Sequence, residues 1–252
     1  MRKGAEYYLG KSFKIKDSYN VRIISYRKNI DVDVQLEDSN VIKNCRIEHL
    51  ISGKVKNPYH PYIFSVGFIG EGIYKSVING SITHYYKFWY GMMQRCYDEK
   101  THKKQPTYKD VEVCEEWHNF QNFAEWVEKN YNSEYMENWQ LDKDILIKGN
   151  KTYSPETCCF VPRQINNIFI KNNARRGLYA IGVTKVKNRF IAQININSKI
   201  NKIGYFLTEV EAFQAYKTEK EQYIKEASNE YKDQITEKVY KALINYKVEI
   251  TD

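Results

Sequence analysis

The stretch Trp139–Asn167, WQLDKDILIKGNKTYSPETCCFVPRQINN, decides how the middle of this chain is read. A short strand-like run opens it, and turn signals follow at Lys148-Gly-Asn-Lys151 and Ser154-Pro-Glu156. A second apolar run ends at Pro162, which suits the first turn of a closing helix. The spacing predicts a β-hairpin followed by a helix. Asp142 and Asp144 flank Lys143. On an extended strand, residues two apart share a face, so both carboxylates could hold one Mg²⁺ or Mn²⁺ through oxygen. Salt bridging with Lys143 across a half-exposed hairpin accounts for the same three residues. Both readings stand at this level.

Downstream, YAIGVTKV, NRFIAQININ and NKIGYF read as three strands. Thr208 then opens a helix, with Glu211 three residues on as a capping box. Ala212, Phe213, Ala215 and Tyr216 supply the helix face that lies on the sheet. Along the second strand, Phe190, Ala192, Ile194 and Ile196 share one face, towards that helix. Arg189, Gln193, Asn195 and Asn197 share the other, with Ile191 as an apolar exception. A last short helix is expected from about Thr236 to Tyr246. From Lys171 to Phe206 the chain carries Lys171, Arg175, Arg176, Lys185, Lys187, Arg189, Lys199 and Lys202, with no Asp or Glu. A one-sign stretch over strands is an electrostatic footprint for a polyanion.

Upstream, Tyr86, Trp89, Met93 and Cys96 recur at helical spacing, as do Trp117, Phe120, Phe123, Ala124 and Val127. These stripes read as core rather than as a base-stacking platform. Residues 8–55 hold short Val- and Ile-rich runs broken by Asn29 and Asp38-Ser-Asn40. Such runs bury a core by curling into a small tudor- or chromo-like β-barrel. The expected class is α+β: a small barrel with its connector over 1–75, a hairpin-and-helix module over 76–174, and a three-stranded sheet with helices over 175–252.

The 252 residues carry a net charge of +8, and 42% are hydrophobic, an ordinary globular composition that attracts polyanions. The first twenty residues do not read as a leader, and no run is long enough to span a bilayer. Five cysteines, an odd number, point to a reducing cytoplasm rather than a disulfide framework. Cys96, Cys114, Cys158 and Cys159 lack the Cys-x2-Cys pairing of structural zinc and read as buried thiols. Cys114 with His118 is the one helical spacing that could serve a metal.

Gly182-Val183, Arg189-Phe190, Ala192, Ile194, Ile203-Gly204-Tyr205-Phe206, Thr208-Glu209 and Glu211-Ala212-Phe213 through Tyr216 resemble the Apetala2-type DNA-binding domain. The resemblance implies that the sheet lies in the major groove of double-stranded DNA. Arg189, Gln193 and Asn195 would then meet base edges, and Lys185, Lys187, Lys199, Lys202, Arg175 and Arg176 would meet phosphates.

The motifs Trp89, Met93-Gln-Arg95-Cys96-Tyr97, Tyr108, Val113-Cys114 with Trp117 and Phe120, Leu141-Asp142, Tyr153-Ser-Pro-Glu156, Cys158, Phe160-Val161 and Asn166 resemble a second family. It is the HNH-type endonucleases of phages and mobile elements, in the branch with an Apetala2-type domain appended. This implies a ββα unit around one divalent ion, hydrolysing a phosphodiester in a bacterial host cytoplasm. Asp142 falls at the strand carboxylate and Asn166 at the helix ligand. Lys143 stands where the family keeps its catalytic histidine, and Thr157 where it keeps a loop-ordering asparagine. An ammonium is a poor base at neutral pH, so Lys143 is expected to contact phosphate. Asp144 or His118 are the remaining candidate bases. Two functions follow: a metal-dependent endonuclease, or a non-catalytic DNA-binding regulator or anti-defence protein on the same scaffold. A third gives the N-terminal barrel a protein partner.

Overall fold

The computed structural model describes residues 4–170, 178–196, 199–250 and 252. The chain is mixed α+β and packs as two compact units, Met1–Lys129 and Asn130–Asp252. The division falls inside the span 76–174 that the sequence reads as one module.

In the first unit, strands Ser12–Lys14, Asn20–Lys28, Asp31–Leu36 and Val41–Cys45 pair in chain order as an antiparallel meander. Alternation decides their faces: Val32, Val34 and Leu36 point into the core, at 0%, 0% and 4% exposure. Among the described residues no pairing joins the first strand to the fourth, so the expected closed barrel is corrected to an open sheet. A three-residue first strand offers few ladder bonds for closure. The short helix Ile47–Ile51 supplies apolar cover instead, burying Ile47 and Leu50 among the strand residues. Farther along, helices His84–Tyr97 and Phe120–Asn130 bury the two stripes read from sequence. Trp89, Met93, Trp117, Phe120 and Phe123 are all fully buried, and Trp89 Nε1 donates to the Trp117 carbonyl at 2.7 Å. Each such side chain contributes about 1.5–3 kcal/mol by leaving water.

In the second unit, strand Trp139–Asp142 pairs antiparallel with Cys159–Pro162, and helix Arg163–Phe169 starts directly after it. This is the expected hairpin and helix, with Pro162 as the N-cap residue. Strands Val183–Val186, Arg189–Ile196 and Lys199–Phe206 form the second sheet, an antiparallel meander. Helix Glu209–Glu230 covers one face, and its capping box between Thr208 and Glu211 is formed as read. Its core joins Ala192 and Ile194 to Ala212, Phe213 and Tyr216, with Phe190 and Ile196 packed at the edge. Gly182 lets the sheet and helix approach: a Cβ there would lie 2.1 Å from Tyr216 Cδ2, and its φ is +74°.

The hairpin's helix and the sheet's long helix belong to this one unit. Lys220 Nζ donates to the Ile168 carbonyl at 2.7 Å, at the C-terminal end of the short helix. The Phe169 and Tyr246 rings lie 4.8 Å apart. No helix among the described residues is long and apolar enough to cross a membrane.

Candidate functional site

The hairpin places Asp142 at the last position of its first strand, opposite Cys159. The chain then bends, and Asp144 lies outside the strand. The expectation that Asp142 and Asp144 share a strand face is therefore corrected. The bend has a local cause. Asp142 Oδ1 accepts the backbone N–H of Asp144 at 2.8 Å and of Ile145 at 2.7 Å, which turns the chain as an N-cap would. Burial pushes the Asp142 carboxyl up, the neighbouring Asp144 charge adds to it, and the two N–H groups oppose both.

Lys143 is buried, at 7% exposure. Its ammonium donates to the Asn150 carbonyl at 2.7 Å and pairs with Asp144 Oδ1 at 3.0 Å. Asn150 returns the bond, its Nδ2 donating to the Lys143 carbonyl at 2.9 Å and the Thr152 carbonyl at 2.7 Å. Asn150, read from sequence only as a turn residue, is thus a loop-ordering asparagine. The one signal for it was its place in the Lys148–Lys151 turn. Thr157, in the slot assigned to that role, ties the other end of the loop: its hydroxyl donates to the Thr152 carbonyl at 2.8 Å.

Asn166 projects from the short helix and donates to Gln140 Oε1. Gln140 and Asp142, two apart on one strand, share a face, so Asn166 engages the face that carries Asp142. Of the three groups read as ligands for Mg²⁺ or Mn²⁺, Asp142 accepts two amides on Oδ1, Asp144 pairs with the Lys143 cation, and Asn166 bonds Gln140 through its Nδ2 rather than its oxygen. A buried ammonium at 3.0 Å from Asp144 already supplies that carboxylate with positive charge. Among the described residues, no group of three or more His, Cys, Asp or Glu is placed to hold a metal ion. Burial drives the Cys159 thiol well up, with the facing Asp142 charge adding to it, so this sulfur stays protonated. His118, in the first unit, bonds the Val113 carbonyl through Nε2 at 3.1 Å.

The second candidate is the sheet face away from the long helix. Cross-strand pairs fix it: Val186 with Arg189, Gln193 with Lys202, Asn195 with Ile200. Arg189, Asn195 and Lys202 are exposed and Gln193 is partly so. Gln193 Nε2 donates to Thr184 Oγ1 at 3.2 Å, which holds its amide in place. Ile191 shares this face with exposed Thr184 and Tyr205, yet is only 6% exposed. Lys187 sits in the hairpin turn at φ +53°. Lys185 pairs with Phe190 on the helix side, its ammonium 5.4 Å from that ring centre, and Lys199 pairs with Ile196 on the same side. Arg175, Arg176 and Asn197 lie outside the described residues. Sequence reading missed the apolar members of the outer face: Val186, Ile200 and Tyr205, exposed by 46%, 66% and 57%.

Compared with family models, curated proteins and solved structures, the chain matches none.

Proposed function

We propose that this chain binds double-stranded DNA through the outer face of the sheet Val183–Phe206, and that its ββα hairpin is a structural scaffold rather than a hydrolytic centre. The observation that carries the reading is the outer face itself. It presents Arg189, Gln193, Asn195 and Lys202 together, in a segment with no Asp or Glu between Glu156 and Glu209. Guanidinium and carboxamide groups bond base edges in pairs, and lysines release counterions from phosphates. Two neighbouring strands form a ribbon of the size a major groove admits.

The non-catalytic half rests on Lys143 and Asn166. In the HNH-type resemblance these positions serve water activation and the metal ion. Here Lys143 is tied to Asn150 and Asp144, and Asn166 to Gln140. The test is anisotropy titration of a labelled duplex over a salt series, beside plasmid nicking with Mg²⁺ or Mn²⁺. Salt-sensitive binding without nicking is expected. Nicking that Asp142→Ala abolishes would restore the endonuclease reading, and absence of duplex binding would remove the DNA reading.

A further inference from the structure

The outer face also specifies a class of DNA sequence, an inference that rests on the reading above. Its groups fall in rows across the strands. At the hairpin end stand Arg189 and Val186, then Thr184, Ile191 and Tyr205, then Gln193 beside Lys202, then Asn195 beside Ile200. Gln193 and Asn195, two apart on one strand, are separated by about 6.6 Å, close to two base-pair steps of about 3.4 Å each. The register slips between Ala192 and Gln193, where Ile203 on the neighbouring strand goes unpaired. A bulge of this kind adds twist, which helps a ribbon follow a groove.

The chemistry of these rows is one-sided. Carboxamides match the N6 donor and N7 acceptor of adenine, and aliphatic groups match the thymine C5 methyl. Gln193 and Asn195 are the carboxamides, and exposed Ile200 lies directly beside Asn195. Cytosine is read by a carboxylate acceptor, and the strands of this sheet contain none. Guanine suits Arg or Lys: Arg189 sits at the hairpin end and Lys202 beside Gln193, so the Asn195 row, with Ile200, is the one without a guanine reader. Thr184 fixes the Gln193 amide before DNA arrives, which lowers the ordering cost of that contact.

We infer that the recognised duplex is A·T-rich at the Asn195 row, read from the major groove through an adenine carboxamide contact and a thymine methyl on Ile200, and that the rows holding Lys202 and Arg189 admit guanine. The test is competition binding with duplexes of equal length, followed by selection from a randomised pool. A·T-rich duplexes should bind about tenfold or more tighter than G·C-rich ones, the scale of one or two lost base contacts. Replacing thymine by uracil removes the methyl from the major groove alone. It should weaken wild-type binding several-fold and leave Ile200→Ala unaffected. Asn195→Ala should flatten the A·T preference while preserving salt dependence. Equal affinity for all duplexes would overturn this inference and leave DNA binding standing. A preference for A·T that ignores uracil would place the reading in the minor groove and overturn it as well. No binding to any duplex would remove the reading it rests on.

Discussion

Lys143 and Asn150 hold each other twice, the lysine ammonium on the asparagine carbonyl at 2.7 Å and the asparagine amide on the lysine carbonyl at 2.9 Å. The pair closes the loop between the hairpin strands and buries a charge against an acceptor and the Asp144 carboxylate. The ammonium bonds the main-chain carbonyl of residue 150, which alanine keeps, so truncating Asn150 removes its side-chain amide from the Lys143 and Thr152 carbonyls and opens the loop around the buried charge. Asn150→Ala should therefore cost about 2–3 kcal/mol, read as a lower urea midpoint at unchanged slope.

Asp142 separates two roles cleanly. As a turn cap it needs only an acceptor oxygen, which asparagine also has. As a metal ligand or base it needs the charge. Its carboxyl is pushed up by burial, so the ionised form is held at a cost above the ordinary carboxylate range. At neutral pH, Asp142→Asn should keep or raise stability, whereas Asp142→Ala should lose about 1–2 kcal/mol of capping. Neither should change a plasmid-nicking assay with Mg²⁺ or Mn²⁺. An Asp142→Asn variant that unfolds more easily would contradict the capping role.

Gly182 has no room for a side chain. A Cβ would meet Tyr216 at 2.1 Å in a left-handed backbone conformation. Gly182→Ala should destabilise the second unit by about 3 kcal/mol or more, through clash and strain together. Urea unfolding followed by circular dichroism measures it. DNA affinity should fall in parallel, because the sheet is positioned by this contact.

Lys220 gives the second unit a pH signature. Burial pulls its ammonium down from 10.5 to about 8. Between those values the unfolded chain holds a proton that the folded chain has released. Stability should therefore rise as pH climbs from about 8 towards 10. Lys220→Met should erase that rise and gain stability at neutral pH. Thermal melts of both proteins at pH steps across this range test it. The tyrosines pushed up by burial, such as Tyr246, act in the opposite sense above about 10, which sets the upper limit.

For DNA binding, Lys187→Ala and Arg189→Ala address different contacts. Removing the turn lysine should weaken binding alike for all sequences and lower the salt slope by about one. Removing Arg189 should also relax preference at one base pair. Salt-dependent anisotropy on two duplexes distinguishes them.

Local patterns carried much of this fold. Val32, Val34 and Leu36 alternate along a strand, and Phe190, Ala192, Ile194 and Ile196 along another; both faces were legible because side-chain direction repeats every two residues. The Thr208–Glu211 box and Pro162 marked helix starts for equally local reasons, since a cap lies within one turn of what it caps. The site was legible only as a set of residue types. Alternation placed Asp144 beside Asp142 on a strand, but the Asp142 side chain itself bends the chain there, and no periodicity reports that.

Tertiary structure decided the rest. Sequence determined that a hairpin, a helix and a basic three-stranded sheet exist. Packing decided that they share one unit, with Lys220 on the Ile168 carbonyl and Tyr246 against Phe169, while the helices before Lys129 belong to another. It also decided that Lys143 is buried on Asn150 rather than presented to a substrate. The physical reason is common to both: burial and long-range hydrogen bonds depend on which surfaces meet, and a residue's neighbours in the chain do not specify its neighbours in space.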